Sequence, residues 1–187
     1  MDGGRLLILG VALAFALSGC GSSESTADKT FGDTSDSDEE LIADVTAEIK
    51  QFSSSYTDLV VAFNAEDVED ARTAVDAMAE HLDKASDTVA DAENAELRTT
   101  YQDYLAKMDG VAAASERVVE YLEAPGGAKP KLEERLAARY EDAVKEAQTA
   151  DKELLDRLAE NASPEERERL KEQYRDLERQ FEERTGG

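Results

Sequence analysis

Hydroxyl side chains that could act as a nucleophile are many in this 187-residue chain, but side chains that could act as a general base are few once its carboxylates are set aside. His81 is the single histidine, flanked by Glu80 and, two residues on, by Asp83. Hydrolase chemistry needs a nucleophile beside an oriented base, so here it would depend on His81 alone. A partly exposed structural histidine is the favoured interpretation, and we expect no enzyme.

Metal and haem sites of helical proteins also require residues that are missing here. Di-iron carboxylate bundles use two Glu-x-x-His pairs, whereas Met78 stands three residues before the one histidine. Asp36, Asp38 and Glu40 alternate like the ligands of a calcium loop, but Leu41 occupies the position at which that loop requires glycine. The sequence therefore predicts no metal site and no bound cofactor.

Carboxylates dominate the charge, because 44 acidic residues against 21 basic ones give a net charge of −23. They are denser in residues 20–110, with a net charge of −17, than in residues 111–187, with −6. Such a surface repels nucleic acid and anionic headgroups, so we expect no nucleic-acid partner. A solvated face that keeps the protein soluble is the favoured interpretation. The alternative is an acidic surface that binds cations, and its candidate residues are Glu66, Asp67, Glu69 and Asp70.

An apolar run from Leu6, preceded by Arg5, ends in Leu17-Ser18-Gly19-Cys20. A basic start, about twelve apolar residues and small residues before a cleavage site are the parts of a secretory signal, too short for a permanent transmembrane helix. The last four residues resemble the lipobox of bacterial lipoproteins. The resemblance implies cleavage after Gly19, a diacylglyceryl group on Cys20 and a place on the extracytoplasmic face of a cell membrane. An uncleaved anchor helix and a buried core helix are the alternatives.

The residues after the cysteine are rich in Ser, Asp, Thr and Gly, which predicts a disordered tether. About seventeen flexible residues would reach roughly 20–25 Å. Cys20 is the only cysteine, so no intramolecular disulfide can form. The predicted divisions are a signal peptide at 1–19, the lipidated cysteine and tether at 20–37, and an acidic helical domain at 38–187.

In that domain apolar residues recur at steps of three and four, the heptad spacing of helices packed side by side, and the steps alternate strictly in the first three runs. Four such runs predict four long helices. The runs are Ile42, Val45, Ile49, Phe52, Tyr56, Leu59 and Phe63; then Val68, Ala71, Val75, Met78, Leu82, Ala85 and Val89; then Leu97, Tyr101, Tyr104, Met108, Val111, Ser115, Val118 and Leu122; and lastly Leu132, Leu136, Tyr140, Ala143, Ala147, Ala150, Leu154 and Leu158.

The breaks between the runs carry residues that end or begin helices. Asn64 and Asn94 stand in the first two breaks and are predicted to cap the helices that follow. Pro125-Gly126-Gly127 predicts a loop over residues 124–130, since no helix continues through that sequence. Ser163-Pro164 predicts the start of a further helix.

The predicted fold class is all-α, an elongated antiparallel helical bundle of four long helices plus a charged C-terminal helix. Short connections between long helices favour antiparallel neighbours. The C-terminal helix is expected to pack on the bundle through one apolar face, and a dimer through that face is the alternative. That face consists of Leu170, Tyr174, Leu177 and Phe181.

Six tyrosines could line a groove, and five of them fall on or next to the apolar runs. We expect them to fill the edge of the bundle with their hydroxyls reaching solvent. The six are Tyr56, Tyr101, Tyr104, Tyr121, Tyr140 and Tyr174.

The function that these features predict is that of a membrane-anchored extracytoplasmic lipoprotein with a non-catalytic binding, scaffolding or spacing role in the bacterial cell envelope. The lipid on Cys20 would hold it to the membrane, and an envelope protein or a second copy of the chain would be its partner. The alternative is an extracytoplasmic binder of divalent cations or of cationic ligands or peptides.

Overall fold

The computed structural model describes residues 36–125 and 129–161, and beyond them only the single residues 164, 168, 172, 175, 176, 179 and 183. In the two continuous ranges four α-helices follow one another. They are α1 (Asp36–Ala65), α2 (Val68–Ala90), α3 (Ala95–Glu123) and α4 (Pro130–Asn161). No described residue lies in a β-strand. The all-α prediction is therefore confirmed.

Contacts between neighbouring helices show that each runs antiparallel to the one before it. The start of α2 lies beside the end of α3, where the guanidinium of Arg72 is 2.7 Å from the carboxylate of Glu123. Near the middle of α3 and α4, the Lys107 ammonium is 2.9 Å from the Glu146 carboxylate. Towards the other end, Arg157 of α4 pairs with Glu96 at the start of α3. At about 1.5 Å per residue, the 30 residues of α1 span about 45 Å.

The predicted apolar runs form the core. On α1, α2 and α3 nearly every residue of a run is buried, including Phe52, Met78 and Met108 at 1% exposure or less. Phe63 and Val68 are only partly buried, and they flank the turn between α1 and α2. Leu122 is the clear exception, because it lies near the end of α3 with 40% of its surface exposed.

The run predicted for α4 misses two buried positions, and its first residue, Leu132, is only partly buried. Val144 and Asp151 are buried, whereas Ala143 and Ala150 are only half-buried. Two successive steps of four, from Leu136 to Val144, move the buried line by one residue relative to the predicted run. A straight helix turns every 3.6 residues, so steps of four must outnumber steps of three, and the predicted step of three from Tyr140 leaves the buried face.

The two asparagines predicted as caps have different outcomes. The side chain of Asn94 accepts hydrogen bonds from the backbone N–H groups of Glu96 and Leu97, at 2.9 and 3.0 Å, as a helix N-cap does. Asn64 is not a cap, because α1 continues through it to Ala65. The N-cap of α2 is Asp67, whose carboxylate accepts from the N–H of Asp70 at 3.0 Å.

We expect Asn94→Ala to lower the free energy of unfolding by about 1 kcal/mol, since two N–H groups at the start of α3 lose their acceptor. Asn64→Ala is the matched control and should change stability by less than about 0.5 kcal/mol, because it removes no cap. Urea denaturation followed by circular dichroism measures both. Equal losses in the two variants would contradict the assignment of Asn94 as the cap.

Of the described residues in the predicted loop 124–130, Ala124, Pro125 and Lys129 lie outside a helix, whereas Pro130 is the first residue of α4; residues 126–128 lie outside the described residues. Ala124 has extended backbone, and α4 begins at Pro130. The hydroxyl of Tyr121 accepts from the N–H of Lys129 at 2.9 Å and donates to the carboxylate of Glu133 at 2.7 Å. Tyr121 thereby fastens the end of the loop to both helices, and its bond to Glu133 raises the pKa of its hydroxyl.

The C-terminal stretch is described at single positions, each of which is helical and exposed. The guanidinium of Arg179 is 3.0 Å from the carboxylate of Asp176, one turn earlier. The apolar face predicted for this stretch lies outside the described residues. The packing of that face on the bundle, with a dimer as the alternative, stays a prediction.

Candidate functional site

The residues of the predicted lipidation site, Gly19 and Cys20, lie outside the described residues, as does most of the predicted tether. No helix in the described part of the chain combines the length and the apolarity needed to cross a bilayer. The first described helix begins at Asp36, and fifteen residues separate it from the cysteine of the lipobox-like sequence. The lipobox-like sequence and the start of α1 are therefore close together in the chain.

The predicted acidic surface lies at the turn between α1 and α2, and the structure gives its residues local roles. Glu66 has a φ of 59°, so the chain turns there through the left-handed region. Asp67 caps α2, while Glu69 and Asp70 lie in its first turn, where the helix dipole favours negative charge. All four side chains are exposed. Among the described residues, no group of His, Cys, Asp and Glu side chains is arranged to hold a metal ion.

His81 is partly exposed, as the sequence predicts, but its partner comes from another helix. Its Nδ1 is 2.7 Å from the Glu48 carboxylate on α1, and 20% of its side chain is exposed. The neighbouring Glu80 instead pairs with Lys84 at 2.7 Å, and that hydrogen bond lowers the pKa of its carboxyl. His81 thus joins α1 to α2.

The prediction that the tyrosine hydroxyls reach solvent is wrong for the four tyrosines buried in the bundle. Those four are Tyr56, Tyr101, Tyr104 and Tyr140. Tyr140 of α4 donates a hydrogen bond to the Tyr56 hydroxyl of α1, with the two oxygens 3.0 Å apart. Burial raises the pKa of Tyr56 to about 12 and holds that of Tyr140 well above its usual value. Tyr56 and Tyr140 can be buried together because their hydroxyls hydrogen-bond to each other.

Asp151 is a buried carboxylate that the sequence prediction missed. It lies on the core side of α4 with 1% of its surface exposed, and its Oδ1 accepts a hydrogen bond from the Tyr104 hydroxyl at 3.3 Å. The spacing along α4 could have indicated its burial, because Asp151 follows the buried Ala147 by four residues and precedes the buried Leu154 by three. Because acidic residues are seldom buried, the predicted run contained the neighbouring Ala150 instead.

Asp38 is a second buried carboxylate, at 2% exposure in the first turn of α1. Its Oδ1 accepts from the backbone N–H groups of Glu93 and Asn94, at 3.0 and 3.3 Å. These acceptor contacts fix the start of α1 to the turn between α2 and α3. No local sequence pattern could reveal them, because the partners lie 55 and 56 residues further along the chain.

A groove of about 500 Å³ runs between α3 and α4, and we call it the α3–α4 groove. Tyr104, Ala150 and Leu154 supply its apolar lining. Its polar lining consists of Glu96, Thr99, Thr100, Asp103, Lys107, Glu153 and Arg157. Ligand sites are usually concave, which makes this groove the candidate functional site among the described residues.

Protein-family models, curated proteins and solved structures were each compared with this chain, and none of them matches it. What the chain does is therefore inferred from its own residues and their geometry.

Proposed function

We propose that this chain is a membrane-anchored extracytoplasmic lipoprotein of a bacterial cell envelope, with a non-catalytic binding, scaffolding or spacing role. The observation that carries the proposal is the lipobox-like Leu17-Ser18-Gly19-Cys20, which precedes the first described helix by only fifteen residues. Two or more acyl chains attach a protein stably to a membrane, whereas one chain binds only marginally. A lipidated Cys20 would therefore hold the helical bundle at the membrane surface.

The direction of α1 supports a spacing role. The start of α1 is fixed to the turn between α2 and α3 by Asp38, so that end of the bundle follows the tether. The α1–α2 turn with its acidic residues lies at the opposite end, one helix length away. At about 1.5 Å per residue, the bundle would present that acidic end about 45 Å from the tether.

The contacts of His81, Asp38 and Asp151 support a role without catalysis. His81 contacts Glu48 across α1 and α2, and the carboxylates of Asp38 and Asp151 accept hydrogen bonds between segments of the bundle. Each of these groups contributes to helix packing. A general acid or base must instead reach a substrate.

Cys20→Ser should abolish membrane retention and incorporation of a radiolabelled fatty acid. It removes the only thiol, which is the sole acceptor for a thioether-linked lipid. Fractionation of producing cells and mass spectrometry of the processed protein measure the effect. Ser22→Ala, two residues away, is the matched control and should be labelled and retained like the unaltered chain. Retention and mass of Cys20→Ser indistinguishable from those of the control would contradict the proposal.

The α3–α4 groove favours a second candidate function, an extracytoplasmic binder of cations. Ligand binding to the folded state stabilises it by mass action, by about 2.7 kcal/mol at a hundred times Kd. Calcium or a polyamine should therefore raise the melting temperature more than sodium chloride of the same ionic strength does. Equal shifts at equal ionic strength would indicate general screening and would contradict specific cation binding.

A further inference from the structure

The cations that line the α3–α4 groove are already neutralised. Arg157 pairs with Glu96, and the ammonium of Lys107 is 2.9 Å from the carboxylate of Glu146 at the edge of the groove. The carboxylates of Asp103 and Glu153, which also line the groove, form no ion pair with another described residue, and both side chains are exposed. A cation entering the groove would thus meet carboxylates that have no competing ion-pair partner.

Charges in the groove and at its edge add to this attraction. Four carboxylates against two cations give the groove and its edge a formal charge of −2. They are Glu96, Asp103, Glu146 and Glu153 against Lys107 and Arg157. In a protein of net charge −23, the surrounding field also raises the local concentration of cations.

The shape of the groove narrows the class of cation. Ala150 is partly exposed in the groove, and Tyr104 and Leu154 reach it with small exposed edges, 3% of the surface of each. Methylene groups can lie along this apolar strip while the charged ends remain in water, as lysine stems do on protein surfaces. From Glu96 to Lys107 the groove follows α3 for about 16 Å, at 1.5 Å per residue. A long alkyl chain with several charges suits this shape better than a compact metal ion does.

We propose that the α3–α4 groove binds a linear polyamine, a flexible alkyl chain that carries two or more ammonium groups. The alkyl segments lie against Ala150 and the exposed edges of Tyr104 and Leu154, and the ammonium groups contact the carboxylates of Asp103 and Glu153. This proposal rests on the second candidate function, that of a cation binder, and adds the site and the ligand class. It is independent of lipidation at Cys20.

Isothermal titration of the purified whole chain with spermidine, at about 0.15 M salt, tests the proposal. We expect saturable binding of one spermidine per chain, with Asp103→Asn/Glu153→Gln weakening it at least tenfold. The matched control is Glu141→Gln/Asp142→Asn, the same loss of two charges at exposed positions of α4 outside the groove. This control should retain affinity within about twofold. All substituted residues are exposed, so circular dichroism should show unchanged helicity in both variants.

Three results would overturn the site. Equal weakening in the two double variants would show that spermidine is attracted by the acidic surface as a whole. Displacement of spermidine by magnesium at equal charge concentration would show a site for compact cations. No detectable binding would overturn the proposal outright. In the first two cases the protein is still a cation binder, whereas a melting temperature unaffected by calcium and spermidine alike would remove that candidate function as well.

Discussion

Phe52→Ala is expected to lower the free energy of unfolding by about 3–5 kcal/mol, because the substitution leaves a cavity that the surrounding helices fill only in part. Phe52 lies midway along α1 with 1% of its surface exposed, among the largest fully buried side chains of the bundle. Urea denaturation followed by circular dichroism gives the change from the shift in midpoint at constant slope.

Leu122→Ala is the matched control for this prediction. Leu122 belongs to an apolar run of the same heptad spacing, but 40% of its surface is exposed near the end of α3. The substitution therefore leaves little or no buried cavity, and we expect the free energy of unfolding to fall by less than about 1 kcal/mol. Equal destabilisation by the two substitutions would mean that heptad position, and not the observed burial, determines the contribution of these side chains.

The second prediction concerns alkaline pH. An exposed tyrosine ionises near pH 10, whereas burial raises the pKa of Tyr56 in the folded chain to about 12. Between these pH values the unfolded chain releases a proton that the folded chain keeps, so stability falls as pH rises. For Tyr56 the loss amounts to about 2–3 kcal/mol, at 1.36 kcal/mol per pKa unit. Tyr140 acts in the same direction, since burial and the nearby Tyr56 raise its pKa too.

Denaturation midpoints at several pH values between 8 and 12, with tyrosinate absorbance recorded in parallel, measure this dependence. Tyr56→Phe/Tyr140→Phe removes both hydroxyls of the buried pair and should reduce the slope of stability against pH above pH 10. At neutral pH the double variant should be nearly as stable as the unaltered chain, because the donor and the acceptor of the Tyr140–Tyr56 hydrogen bond are removed together. An unchanged alkaline slope in the double variant would contradict the role of the pair.

The helices themselves were predictable because apolar spacing alone decides which side of a long helix is buried. Phe52, Met78 and Met108 all lie on predicted runs, and each is buried in the structure. The spacing fails where a run continues past the point at which another helix covers it, as at Leu122. Coverage depends on where the neighbouring helices end, and the spacing within one helix carries no information about that.

The caps illustrate a second limit of sequence reasoning. Asn64 and Asn94 are equally good capping residues, yet only Asn94 begins a helix. At the other break, α1 extends one residue beyond Asn64 before Glu66 adopts its left-handed conformation, and Asp67 then occupies the cap position. Which of several adjacent polar residues becomes the cap depends on the exact end of the preceding helix.

The buried polar groups show the third limit. A carboxylate or phenol can be buried when a partner is available, and that partner commonly comes from a distant part of the chain. Asp151 is buried with the Tyr104 hydroxyl, 47 residues away, and Tyr56 with that of Tyr140, 84 residues away. The α3–α4 groove was missed for the same reason, since its lining belongs to two helices whose alignment only the packed structure provides.

The contacts of Asp38 with the turn between α2 and α3 have a mechanical consequence. If the tether holds the start of α1 and a partner holds the acidic turn at the opposite end, a pulling force runs parallel to the helix axes. The load would then run along α1 itself, and its backbone hydrogen bonds and its many side-chain contacts with the neighbouring helices would share it. A partner bound near Asn94 would instead pull close to the tether, and the hydrogen bonds accepted by Asp38 would bear the force almost alone. The distal end of the bundle is therefore the stronger point of attachment.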